Sequence, residues 1–109
     1  MLEPILGTLN RELTLQYMLC FESGYAREIA RYLGSSLPSI QSQLNNFEDG
    51  GVMLSKMRGK TKVFFFNPRY AFLPELESLL NKAKKYYKPE LKNKFEMQRK
   101  RPRRVGKPL

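Results

Sequence analysis

A chain of 109 residues has room for one domain, and a net charge of +10 with a pI near 10.0 points to an anionic partner. No histidine and a single cysteine exclude an internal disulfide, a thiolate metal cluster and any histidine-based triad or general base. No metal, cofactor or enzyme activity is therefore expected, and Cys20, inside an apolar stretch, reads as a buried structural thiol. No apolar run approaches the roughly 18 residues of a membrane span. Met1-Leu2-Glu3-Pro4 lacks the basic start of a signal peptide, so a cytoplasmic protein is expected.

The charge is unevenly spread. Residues 1–50 carry a net −3, residues 51–70 a net +5, residues 71–89 a net +2 and residues 90–109 a net +6. The positive field belongs to the middle and the end of the chain.

Leu2 to Leu6, broken by Pro4 and Gly7, reads as a short helix. Asn10 is a good cap for a helix running to about Glu22, which Ser23-Gly24 ends. That helix is apolar almost all round, with Leu13, Leu15, Tyr17, Met18, Leu19 and Phe21, so it is buried on more than one side. Two covers are open for its second face: a second subunit, or Leu2, Ile5 and the C-terminal helix of the same chain.

Gly24-Tyr25 reads as a brief extended segment. In Ala26–Leu33 the inward residues are Ala26, Ile29, Ala30 and Leu33, spaced three and four apart. Gly34 suits the left-handed position that ends this helix. Ser36 caps the next one, and Pro38 is tolerated in its first turn. There Leu37, Ile40, Leu44 and Phe47 fill one face. The opposite face is small, polar and uncharged: Pro38, Ser39, Ser42, Asn45 and Asn46, with Gln41 and Gln43 at its margins. Hydroxyls and amides can pair with base edges, amides especially with adenine. A solvated polar face is the bland alternative.

After Gly50-Gly51 two strand-like segments, Val52–Arg58 and Thr61–Phe66, join at Gly59-Lys60. Val52 and Leu54 are expected to point inward. Lys56, Arg58, Lys60 and Lys62 crowd the tip, with no acid near them in sequence, where they can reach phosphates or a minor groove, or can simply protect a sheet edge. A helix follows from Pro74 or Glu75 to about Tyr87, with a stripe of Leu76, Leu79, Leu80, Ala83 and Tyr86 or Tyr87. Leu91, Phe95 and Met97 are too few to build a core, so residues 90–109 read as a basic extension, either partly helical or a disordered arm. Its sharpest element is Lys100-Arg101-Pro102-Arg103-Arg104. This differs from an AT-hook in lacking the glycine before Arg-Pro, which leaves Arg101, Arg103 and Arg104 as general phosphate contacts.

Arg27-Glu28-Ile29-Ala30, Leu33-Gly34, Ser36, Ser39-Ile40, Gln43-Leu44, Phe47-Glu48, Gly50-Gly51-Val52, Arg58-Gly59-Lys60-Thr61 and Asn67-Pro68 together resemble small prokaryotic winged helix-turn-helix regulators of the arsenical-resistance-repressor (ArsR) type, over roughly Leu9 to Tyr87. The resemblance implies a homodimer built on the N- and C-terminal helices, bound to a pseudo-palindromic operator. By position, Ser36, Pro38, Ser39, Ser42 and Gln43 match the DNA-contacting part of the family's second helix, and Arg58, Lys60 and Lys62 match its wing. The chain departs from the family in lacking the metal-sensing cysteine motif, in carrying Ser42 where many relatives have a basic residue, and in its basic tail.

The expectation is therefore a mainly α protein with a small β-hairpin wing: a winged helix-turn-helix domain over 1–89 with dimerisation helices, and a basic extension over 90–109. Its expected partner is double-stranded DNA, as a homodimeric transcriptional regulator whose effector the sequence does not name. The alternative is a winged-helix module that binds protein or RNA, with nonspecific nucleic-acid affinity from its tail.

Overall fold

The structure is a computed structural model that describes residues 1–96. Its elements are α1 (Glu3–Leu6), α2 (Leu9–Phe21), β1 (Ser23–Gly24), α3 (Ala26–Leu33), α4 (Leu37–Asp49), β2 (Met53–Arg58), β3 (Thr61–Phe66), α5 (Leu73–Lys84) and α6 (Pro89–Glu96). The fold is mainly helical with a small antiparallel sheet in the order β1-β3-β2.

The core is built around α2, in which every residue from Glu12 to Met18 is buried. Its cap is Thr8, not Asn10: the Thr8 Oγ1 accepts from Arg11 N at 3.1 Å. Both residue types make good caps. Asn10 lies in the first turn of the helix and is committed elsewhere, donating from Nδ2 to Ser39 Oγ at 2.7 Å and accepting from Ser35 Oγ at 2.8 Å. Those two bonds tie α2 to the start of α4.

The second face of α2 is covered within the chain. Leu2, Leu80, Ala83, Tyr87 and Phe95 join it in one core cluster, whereas Ile5 stays 69% exposed and covers nothing. Most of the polar groups that α2 buries are paired: Thr14 Oγ1 donates to Asn10 O within the helix at 2.7 Å, and among the described residues only the Gln16 Oε1 lacks a partner. Glu12 accepts from Leu2 N at 2.7 Å and from the Tyr87 hydroxyl. Gln16 Nε2 donates to Leu80 O at 2.8 Å and to the Tyr87 oxygen at 3.2 Å.

In the hairpin the parity differs from the alternation expected. Met53 is fully buried and Leu54 is 41% exposed, while Val52 lies just before the strand. The register decides this. Met53 pairs with Phe66 and Ser55 with Phe64, so these residues share the face that turns to the helices, and Leu54 and Phe65 share the other. On the far side of β3, Ser23 pairs with Phe65 and Gly24 with Phe64. Gly24 is held so closely that a Cβ there would lie 2.8 Å from Tyr17 Cε1 and 3.2 Å from Ile29 Cγ1.

The C-terminal segment is packed more firmly than expected. Residues 89–96 form α6, and Phe95 is completely buried. The Cys20 thiol donates to Phe95 O at 2.9 Å, and the Tyr32 hydroxyl donates to Lys94 O. The expected division between 89 and 90 therefore falls inside a packed helix, because one aromatic ring with two anchoring hydrogen bonds does what a longer apolar stripe does elsewhere. Among the described residues no helix is long and apolar enough to cross a membrane.

Candidate nucleic-acid interface

The geometry of the candidate face of α4 starts at Gly34, whose φ of 69° ends α3 in the left-handed region. Two residues later Ser36 is extended, and its side chain accepts from Ser39 N to start α4. Helix α4 buries Ile40, Leu44 and Phe47. Its opposite side leaves Pro38, Gln41, Ser42, Asn45 and Asn46 exposed, with Ser36 exposed at its end.

Ser39 and Gln43 are placed differently from the rest of the expected set. Both are half-buried. Ser39 Oγ accepts from Asn10, and Gln43 Oε1 accepts from Arg11 Nε at 2.9 Å. They hold α4 against α2, and the free polar surface is the stripe from Pro38 to Asn46 on the other side.

At the hairpin tip the turn falls at Gly59, whose φ of 61° only glycine adopts without strain. Arg58 and Lys60 are exposed and make no ion pair among the described residues. Lys62 does: its Nζ lies 3.0 Å from Glu48 Oε1 and 5.2 Å from the centroid of the Phe64 ring. Glu48 also accepts from the Ser55 hydroxyl. That hydrogen bond, and then the Lys62 ammonium, hold the Glu48 carboxyl below its ordinary value.

Between α4 and the hairpin runs an open groove of about 590 Å³. Arg27 enters it from the first turn of α3, Gln41 and Asn45 from α4, and Lys60, Thr61 and Lys62 from the hairpin. An adjoining groove of about 420 Å³ shares Tyr25 and Thr61 with the first and carries Arg58 and Glu28. The structure thus adds Arg27, Tyr25 and Thr61 to the expected residues. The sequence held one signal for Arg27: it is basic, in the first turn of its helix and off the inward stripe. Arg101, Arg103 and Arg104 lie outside the described residues. Compared with known proteins, the chain matches no family model and no curated protein, so the interface is read from its own geometry.

Proposed function

We propose that the chain is a DNA-binding transcriptional regulator of winged helix-turn-helix type, with α4 in the major groove and the β2–β3 hairpin on flanking phosphates or the minor groove. The observation that carries this reading is the groove. It joins the uncharged outer face of α4 to Arg27 and Lys60, two exposed cations without an ion pair among the described residues, so that base-edge donors and phosphate-binding charges share one side of the molecule. The likeness of the turn and hairpin residues to ArsR-type regulators supports the same reading. Selection of bound sequences from a random duplex pool tests it: an enriched, palindromic motif is expected, and a pool that stays random overturns it.

Pairing of two copies and a cytoplasmic location belong to this proposal, as does the absence of an enzymatic role. Support for pairing now rests on Phe72 and Tyr86, 64% and 66% exposed at the two ends of α5, and on exposed Ile5 of α1. It no longer rests on α2, which the chain covers itself. A second reading, a winged-helix module for protein or RNA, is favoured by one observation: α4 carries no basic residue from Leu37 to Asp49. Enrichment of no duplex, with retained binding to single-stranded RNA, would support it.

A further inference from the structure

Glu48 stands where a carboxylate is unwelcome twice over. It occupies the last turn of α4, where the helix dipole disfavours negative charge, and no basic residue of that turn offsets it. It also follows Gln41 and Asn45 at spacings of four and three, so it continues the stripe of α4 that lines the cationic groove. A bare carboxylate there repels a phosphate. What it touches instead is the hairpin: Ser55 of β2 donates to one oxygen and Lys62 of β3 lies 3.0 Å from the other. One side chain of α4 thereby holds both strands of the hairpin.

We propose that Glu48 is a positioning residue that sets the number of cations the hairpin offers to a DNA backbone, by keeping Lys62 for itself while it fixes the hairpin against α4. The inference rests on the DNA-binding reading above. Arg27 and Lys60 then form the phosphate seat of the groove, while Lys62, which also lines it, is neutralised by Glu48. Lys62 stays with the carboxylate when a duplex is bound, because leaving it exposes the Glu48 charge to the phosphates.

Salt dependence counts such contacts, since the slope of log K against log salt changes by about 0.9 for each phosphate neutralised. The experiment is a salt titration of duplex binding, using a random-sequence duplex and the full chain, with thermal unfolding run on each variant. Glu48→Gln frees Lys62 and removes a negative charge, so its slope is expected to steepen by about one unit, with tighter binding at low salt. Adding Lys62→Ala to Glu48→Gln should cancel that gain. Lys60→Ala should make the slope shallower by about one unit. The inference is overturned if Glu48→Gln leaves the slope unchanged or shallower, or if the double variant stays as steep as Glu48→Gln alone. If Glu48→Gln unfolds, Glu48→Ala, which likewise removes the carboxylate and frees Lys62, must give the same steepening or the inference falls. A wild-type chain that binds no duplex even at low salt overturns the DNA-binding reading itself, and this inference with it.

Discussion

The Tyr87 hydroxyl donates a hydrogen bond to Glu12 Oε2 across 75 positions of sequence, inside the core. The same phenol oxygen accepts from Gln16 Nε2, whose other bond is to Leu80 O. Glu12 is fully buried and also accepts from Leu2 N. The three polar side chains tie α1, α2 and the end of α5 into one unit. Tyr87→Phe keeps the ring and removes the donor, leaving a buried carboxylate oxygen short of a partner. The expected cost is about 1–3 kcal/mol of unfolding free energy. Urea unfolding measures it, and a change within experimental scatter would mean the network contributes nothing.

The same phenol sets an alkaline limit. Burial, and then the bond to Glu12, push the Tyr87 hydroxyl above its ordinary value of 10.0. A raised value favours the neutral phenol in the folded state. Its contribution is therefore fully present below the ordinary tyrosine range and is lost as pH rises above that range towards the folded value. Ultraviolet titration of the native protein should show a late-ionising tyrosine that is absent in Tyr87→Phe, with stability falling from about pH 10 upward. A native protein in which every tyrosine ionises in the ordinary range contradicts this.

Phe95 tests whether α6 belongs to the domain. The ring is fully buried beside α2 and α3, and truncating such a ring costs about 3–5 kcal/mol. Phe95→Ala is expected to lower the unfolding midpoint sharply in denaturant. A loss below about 1 kcal/mol would show that α6 is an ornament on a domain complete without it.

Reading and holding contacts should separate in binding assays. Asn46→Ala or Ser42→Ala, on the exposed face of α4, should cost about 1–3 kcal/mol at a selected site and little on random duplex. Arg27→Ala should instead weaken all sequences alike and make the salt slope shallower by about one unit. If Arg27→Ala changes the preferred motif, the groove reads sequence and the assignment of roles is reversed.

Local pattern made much of this legible. The spacing of Ile29 and Ala30, and of Ile40, Leu44 and Phe47, matches the faces that α3 and α4 bury. Gly34 and Ser36 stand at the helix ends where their chemistry puts them. The misplaced features turn on tertiary competition. By type Asn10 is the better cap, but its bonds to Ser35 and Ser39 commit it elsewhere and Thr8 caps instead. Val52-Met53-Leu54 is apolar at both parities, so the pairing of Met53 with Phe66 had to choose the inward face. Glu48 reads in sequence as the polar end of a helix, and its partners lie on strands that no helical periodicity connects to it.

Gly24 gives the hairpin a dependence that none of its own residues reveals. The strand it belongs to is hydrogen-bonded to β3, and the space beside it is filled by Tyr17 of α2 and Ile29 of α3. Here a side chain is excluded by crowding, not by backbone conformation, so even a methyl group forces the strand or the Tyr17 and Ile29 side chains against it to move. The seating of the hairpin is then inherited from a missing atom thirty-five positions upstream of Gly59 at its tip. Gly24→Ala should misalign the cations of the groove while leaving every one of them in place: weaker duplex binding with the number of charges unaltered, an effect that charge-reversal scanning of the surface cannot detect.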